Sequence, residues 1–202
     1  MVTSTRSPKK DSNTIARKVY NPIGFTKAYN FILFFIFAGA LFGFTLARLQ
    51  YISLGGIFCA AVRKPSGGAA PGECYFYLNF TRYKVGIILH LATILPAALL
   101  VIVQFIPVVR HKAILVHRVN GYVVLLLWVL STAGALMIGR RAFGGGIEVQ
   151  TVVGFLAIAC TVSFVLAYVN IKRLQIEQHR AWMLRGWFYV SCVHFLSHEC
   201  CC

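Results

Sequence analysis

The chain has 202 residues, of which 58% are hydrophobic and only 12% are charged. A water-soluble domain of this length could not cover so much apolar surface with so little charge, so the composition excludes an ordinary soluble globular protein. The formal net charge of +15 does not indicate nucleic-acid binding, because the basic residues lie between apolar runs and no groove-reading motif is present. In a membrane protein such charge sets topology and contacts anionic headgroups.

Four apolar runs are long enough to cross a bilayer as helices, and a fifth is shorter. Crossing takes about 20 residues, because a helix rises about 1.5 Å per residue through roughly 30 Å of hydrocarbon. The full-length runs cover residues 28–49, 85–109, 119–138 and 149–171, and the shorter run covers 181–196. No alternating pattern indicates a barrel. The sequence therefore predicts an all-α polytopic transmembrane bundle over residues 28–198, with four full helices and a short or truncated fifth.

The N-terminal segment, residues 1–27, is polar and basic, and we interpret it as a disordered arm. Basic residues also fill the short segments after the second and fourth apolar runs: Arg110, Lys112, Arg118, Lys172, Arg173, Arg180 and Arg185. Short basic segments stay in the cytosol under the positive-inside rule, so we expect the arm and both segments there. The sequence thus predicts an integral membrane protein with a cytosolic N-terminus, in a membrane that the sequence does not specify.

The first apolar run contains Gly39 and Gly43, with Ala47 four residues later. Small residues at this spacing let two helices approach closely. Two interpretations stay open at this point. We favour packing inside the bundle over self-association of two chains through this face.

The longest polar connection, residues 51–83, is expected on the side opposite the arm. It holds Cys59 and Cys74 around a stretch rich in glycine and proline, and an oxidising compartment allows these cysteines to pair. The alternative places Cys59 at the top of the first helix as a free thiol. Asn79 begins an N-glycosylation pattern, although it lies so close to the next helix that the membrane would hinder modification.

Acidic residues are too few and too peripheral to favour ion-coupled transport. None of the five lies in the middle of a predicted helix: Asp11, Glu73, Glu148, Glu177 and Glu199. Proton- or cation-coupled transporters usually keep a carboxylate within the bilayer. The sequence also has no glycine-rich phosphate loop, serine nucleophile elbow or cysteine-pair zinc pattern. It therefore does not decide whether the chain is an enzyme.

Histidines carry the remaining chemistry within the predicted membrane segments. His90 lies inside the second apolar run, about 9 Å below its outer boundary, and an ionisable side chain there is a functional candidate. A neutral His90 bonded to a neighbouring carbonyl or hydroxyl group is given equal weight. His194 lies far along the fifth run at a depth similar to that of His90. Two facing histidines at one depth predict a haem held between the second and fifth helices.

Two His-Arg pairs begin the third and fifth apolar runs, His117-Arg118 and His179-Arg180. Imidazole suits metals and haem iron and titrates near neutral pH, so both histidines are candidate ligands. Guanidinium groups suit phosphates or haem propionates, which makes Arg118, Arg180 and Arg185 candidate contacts for such anions. We favour the simpler interpretation that both pairs anchor their helices at lipid headgroups.

The stretch from roughly His90 to Val193 resembles the domain of unknown function 2306 family of membrane proteins. The matching residues are an intramembrane histidine followed by Gln104, then His117-Arg118-Val119-Asn120-Gly121-Tyr122, then His179-Arg180-Ala181-Trp182-Met183-Leu184-Arg185. The resemblance implies a multi-helix membrane protein without a settled activity. Beyond Val193 the sequence departs from the family pattern, which makes a truncated fifth helix the expectation. A weaker analogy links the histidines near both membrane faces to b-type cytochromes that carry two haems between transmembrane helices.

Two classes of function follow from these observations. The first, which we favour, is a multi-pass membrane protein that binds lipid or serves as an accessory subunit, with the His-Arg pairs on phosphate headgroups. Its expected partners are the bilayer and its anionic headgroups, and not nucleic acid. The second class is an electron-transfer protein that holds haem b on the candidate ligands His90, His117, His179 and His194.

Overall fold

The structure, a computed structural model, describes residues 18, 20–59 and 72–199, with side chains as far as residue 191. Most of the predicted N-terminal arm and the middle of the predicted polar connection lie outside the described residues. The helices are α1 (Ala28–Leu49), α2 (Glu73–Asn79), α3 (Thr81–Gln104), α4 (Pro107–Lys112), α5 (Ile114–Ile138), α6 (Ile147–Lys172) and α7 (Ile176–Glu199). The described ranges contain no strand, and the predicted all-α fold is confirmed.

Within the described ranges, four helices have the length and apolar composition needed to cross a membrane: α1 continued to Ile52, α3, α5 and α6. Large apolar side chains point outward from them. Phe35 on α1, Leu126 on α5 and Ile158 on α6 are 67%, 61% and 67% exposed. A continuous apolar exterior of this kind is unfavourable in water and is solvated by lipid tails. The predicted polytopic membrane bundle is therefore confirmed.

The second apolar run, expected as one helix over 85–109, is divided in the structure. α3 ends at Gln104, five residues before the expected boundary, and α4 starts at Pro107. Ile106 is extended, with φ −72° and ψ 119°, because a proline disfavours helical geometry in the residue before it. Pro107 then lies in the first turn of α4, where its missing N–H group leaves no bond unmade.

The third and fifth apolar runs become longer helices than expected. α5 begins at Ile114 and α7 at Ile176, each five residues before the start of its apolar run. α7 also continues to Glu199, so the described helix is neither short nor cut at Leu196. Polar residues at a membrane boundary continue the helical backbone, and an apolar run alone does not mark where a helix begins. Each His-Arg pair therefore lies inside the start of its helix and not before it.

The long helices form two antiparallel pairs. α3 packs along α5, α6 packs along α7, and α1 contacts α3. In the first pair, Gly86 near the start of α3 meets Ile138 at the end of α5, and Gln104 at the end of α3 meets His117 near the start of α5. This arrangement places the first turns of α5 and α7 at one end of the bundle.

Two glycines set the distance between α3 and α5. A Cβ atom on Gly134 would lie 2.7 Å from the carbonyl oxygen of Gly86 and 2.7 Å from the amide nitrogen of His90. A Cβ atom on Gly86 would lie 2.8 Å from Ile138 and 2.9 Å from Met137. The atoms that a Cβ atom on Gly134 would meet belong to the backbone of α3. They cannot move aside as a flexible side chain could, so this position has no room for a side chain. Small residues let these transmembrane helices come into direct contact.

An aromatic cluster joins the two helix pairs. Trp128 of α5 packs edge-on against Phe164 of α6, with ring centroids 4.7 Å apart, and Phe164 lies 5.5 Å from Trp187 of α7. All three side chains are buried. Gly186 makes room for this packing, since a Cβ atom there would lie 2.5 Å from the ring of Phe164. The cluster therefore connects the α6–α7 pair to α5 of the other pair.

The two ends of the bundle differ in chemistry. The basic end, defined by Arg110, His117 and His179, holds α4 and the first turns of α5 and α7. The segment before α1 packs there as well, because the amide of Val108 donates a hydrogen bond of 3.2 Å to the carbonyl of Ile23. The opposite end, the disulfide end, holds α2 and the turn between α5 and α6.

At the disulfide end, Cys59 and Cys74 are joined in a disulfide, with their Cα atoms 5.6 Å apart. The neighbouring Glu73 is buried and accepts hydrogen bonds from the hydroxyl of Tyr77, at 3.4 Å, and from the amide of Phe143. Burial, and then the charge of Glu73, raise the pKa of Tyr77 well above its usual range. α2 is thereby tied both to the chain that follows α1 and to the turn after α5.

Two surface predictions stay predictions. Gly39 and Gly43 lie on a part of α1 where a Cβ atom would meet nothing within 4 Å in the described chain, so self-association through this face is untested. Asn79 is exposed at the end of α2 and donates its Nδ2 to the carbonyl of Tyr75 at 2.8 Å. Its glycosylation is likewise untested.

Replacing Gly134 by alanine is expected to destabilise the bundle, whereas Gly154→Ala on α6 is expected to be neutral or stabilising. The methyl group at 134 would press on the backbone of α3, and overpacking of this kind costs about 1–3 kcal/mol. A Cβ atom on Gly154 meets nothing within 4 Å, and alanine favours a helix over glycine by about 1 kcal/mol. The measurement is the melting temperature in detergent. Equal melting temperatures for the two variants would contradict direct contact between α3 and α5.

Candidate functional site at the basic end

An amide network joins the end of α3 to the start of α5. Gln104 donates its Nε2 to the backbone oxygen of His117 at 2.8 Å. Asn120 donates its Nδ2 to Oε1 of Gln104 at 2.9 Å and to the carbonyl of Leu100 at 3.0 Å. A Cβ atom on Gly121 would lie 2.8 Å from Nε2 of Gln104, so the glycine leaves room for the amide. The family-like stretch at the start of α5, from His117 to Tyr122, is the first motif, and it holds the Gln104 side chain in place.

The second motif fixes the start of α7 against α6. Nδ1 of His179 lies 2.9 Å from the carbonyl oxygen of Ala167. Because a carbonyl only accepts, this nitrogen carries the hydrogen, and Nε2 is left as the ring nitrogen able to meet another group. Arg180 forms an ion pair with Glu177 at 3.0 Å. Met183, one turn further on, packs against the aromatic cluster.

Both motifs contribute to one group of side chains, which we call the basic cluster: Arg110, His117, His179 and Arg180. Arg110 and His179 lie near His117, within the range of electrostatic interaction. Burial lowers the pKa of Arg110, and the nearby charge of Arg180 lowers it further, while Glu177 opposes both effects. Glu177 pairs with Arg180, so the guanidinium group of Arg110 leaves the cluster with excess positive charge.

His117 contributes an atom without a partner. Its Nδ1 is buried and has no hydrogen bond among the residues that the structure describes. A buried polar atom left in this way costs about 1–3 kcal/mol. The start of α5 adds to the local potential, because Ala113 at its N-cap has no side chain that caps the first turn. Helix N-termini favour anions.

The predicted phosphate contacts do not all meet in this cluster. Arg118 is exposed and lies about 100° around α5 from His117, on a different side of the helix. Arg185 stacks over the ring of Trp182, 4.6 Å from its centroid. Of the three predicted arginines, Arg180 is the one whose charge acts on Arg110.

His90 faces α5. Its Nδ1 lies 3.0 Å from the carbonyl oxygen of Ser131 and 2.9 Å from the Oγ of the same residue. Hydrogen bonding to a neighbouring carbonyl or hydroxyl group was one of the two interpretations that the sequence left open. Gly86 and Gly134 bring the two backbones together beside His90, whose side chain is half-buried.

A haem fits this geometry poorly. Backbone contact between α3 and α5 leaves no gap for a macrocycle beside His90. Within the described ranges, no group of three or more His, Cys, Asp or Glu side chains is placed to hold a metal ion. The side chain of His194, the other half of the predicted clamp, lies outside the described residues. Haem b is therefore not favoured as a cofactor.

The fold and the two motifs define a multi-pass helical membrane protein. The family model described as "Predicted membrane protein (DUF2306)" matches residues 87–198, more than half of the chain, and the chain belongs to this family. The match runs past Val193, so the predicted departure from the family pattern at that residue is wrong. Comparisons with curated proteins and with solved structures return no match for this chain.

Sequence reasoning missed two members of this site, Arg110 and Glu177. Arg110 was counted only as a charge that sets topology, because the second apolar run was read as continuous through Val109. Pro107 is the signal in the sequence that divides this run into two helices. A proline at this position starts a new helix, and Arg110 belongs to that helix. No pattern within the sequence indicates that Glu177 and Arg110 come together.

The amide network predicts a coupling between Gln104 and Asn120. Gln104→Ala and Asn120→Ala are each expected to destabilise, and the double variant is expected to lose about 1 kcal/mol less than the sum, because both single changes remove the same Gln104–Asn120 hydrogen bond. The measurement is the free energy of unfolding in mixed detergent micelles. Gln150→Ala, which removes an exposed amide on α6, is the control partner and is expected to add to Asn120→Ala without coupling. Additivity between Gln104 and Asn120 would contradict the network.

Proposed function

We propose that the chain is a lipid-binding membrane protein whose basic cluster holds the phosphate of an anionic headgroup. The observation that carries the proposal is the meeting of Arg110, His117, His179 and Arg180 at one end of the bundle. Guanidinium groups present paired N–H donors that match phosphate oxygens, and imidazole supplies a further donor. Because the helices span a bilayer, their ends lie at the depth of lipid headgroups.

Charge around the cluster supports an anionic ligand over a zwitterionic or neutral one. Glu177 offsets one of the two guanidinium groups and leaves the other in excess. Lys112 at the end of α4 and Lys172 at the end of α6 are both exposed at the same end. Each basic residue near an anionic membrane surface contributes about 1 kcal/mol of attraction.

The segment before α1 packs against α4 at the same end. Basic residues gather there, so we place this end, with the N-terminus, on the cytosolic side.

The double variant Arg110→Gln with Arg180→Gln is expected to bind anionic lipid about thirtyfold more weakly than the wild-type chain, since each of the two lost charges removes roughly 1 kcal/mol. The measurement uses protein in nanodiscs that contain phosphatidylcholine and phosphatidylglycerol, and native mass spectrometry counts the phosphatidylglycerol retained. Arg118→Gln is the matched control, because Arg118 is an exposed arginine of α5 on a different side of the helix.

Equal losses in Arg118→Gln and in Arg180→Gln, which each remove one charge, would show that retention follows total charge and would overturn the proposal. Unchanged retention in the double variant would do the same. Melting temperatures within a few degrees of wild type establish that each variant has kept its fold, and Arg180→Gln, which changes an exposed side chain, can be tested alone if the double variant unfolds.

A further inference from the structure

A second feature, separate from the basic cluster, lies on the outer side of the α3–α5 pair. An open groove of about 430 Å³ is lined by Leu100, Leu115, Val116, Val119, Asn120 and Val123. Five of these six side chains are aliphatic, and Asn120 is the polar member. No member of the basic cluster lines the groove, so a ligand here does not depend on the headgroup site.

The hydrogen bonds of Asn120 fix the orientation of its amide group. Its Nδ2 donates to both the carbonyl of Leu100 and Oε1 of Gln104, and two acceptors on the same nitrogen fix which way the amide is turned. Both hydrogens of Nδ2 are thereby used. The atom left over is Oδ1, which accepts no hydrogen bond within the part of the chain that the structure describes.

An acyl chain cannot satisfy this acceptor. Asn120 lies three residues, about 4.5 Å, along α5 from His117, so the groove lies where the headgroup region meets the hydrocarbon. Acyl tails carry no hydrogen-bond donor. A ligand that matches the groove must therefore be apolar over most of its surface and must carry a donor at one point.

The aliphatic wall favours a rigid ligand. Val116, Val119 and Val123 follow one another along one side of α5, and β-branched side chains in a helix have almost one rotamer each. Such a wall does not adapt to a flexible chain, whereas a rigid ring system loses little conformational entropy against it.

We propose that this groove binds a lipid of the sterol class, with its single hydroxyl group donating to Oδ1 of Asn120. The fused rings lie against the valine side of α5 and contact Leu100 of α3. The Gln104–Asn120 network acts as the positioning element, because it holds the amide with its oxygen free.

The test uses the full chain in phosphatidylcholine nanodiscs and a photoreactive sterol that bears a free hydroxyl group. We expect the probe to label peptides from α5 that contain residues 115–123. Val119→Trp, which fills the groove from a side chain that is 56% exposed, is expected to abolish most of this labelling. Val129→Trp is the matched control on the same helix, 54% exposed and outside the groove lining, and is expected to label as wild type.

Competition against the wild-type chain tests the hydrogen bond without any substitution. A sterol with a 3-hydroxyl group is expected to compete about fivefold better than the same ring system with a 3-ketone, which cannot donate, since one such bond is worth about 1 kcal/mol. Equal competition by the ketone, equal labelling of Val119→Trp and Val129→Trp, or competition by diacylglycerol as strong as that by the sterol would each overturn the proposal. None of these results bears on phosphatidylglycerol retention at the basic cluster.

Discussion

Hydrocarbon offers no partner for a hydrogen-bonding group, and this constraint governs where the polar side chains of the bundle lie. His90, Gln104 and Asn120 all belong to the α3–α5 pair, and each bonds to the other helix of the pair. Such bonds require the backbones to be close. The approach of Gly86 to Gly134 provides that closeness at one level and Gly121 provides it at another. The polar contacts and the small residues therefore depend on each other.

The basic cluster is a consequence of this pairing. α3 and α5 run antiparallel, so the chain must reverse direction within a few residues, and Pro107 makes the reversal by starting α4. α4 carries Arg110 to the end of the bundle where α5 begins with His117. The second pair adds His179 and Arg180 from the start of α7, and the aromatic cluster joins this pair to the first through Phe164 and Trp128. Charged groups distant in sequence meet because two reversals occur at the same end.

Composition was sufficient to predict the class of fold, because an apolar surface of this extent needs lipid as its solvent. The positions of the long helices also follow from the apolar runs. The site was less accessible to sequence reasoning. Arg118 adjoins His117 in sequence but lies on another side of α5, and one step of about 100° around a helix separates a cluster residue from a surface residue. The sequence of α5 alone does not indicate which of two adjacent polar residues faces the neighbouring helices.

The same limit applies to Gln104 and to Gly121. Each occurs in a motif that resembles the family, yet the physical reason for the motif is a contact between them. The glycine is needed because the amide of another helix occupies its space. That contact spans two helices, so neither residue explains the other until the structure places them together.

The attachment of α1 has a mechanical consequence. This helix packs weakly along its length but is anchored at both extremities: aromatic side chains before it lie against its first turns, and Leu54 just after it is buried beside Tyr77 near the disulfide. Between these attachments Leu41 packs against the buried core, so α1 contacts the bundle along one side and turns its other side to lipid. Its lipid-facing side can therefore exchange neighbours, whether acyl tails or another helix, while the four-helix remainder keeps its internal contacts undisturbed.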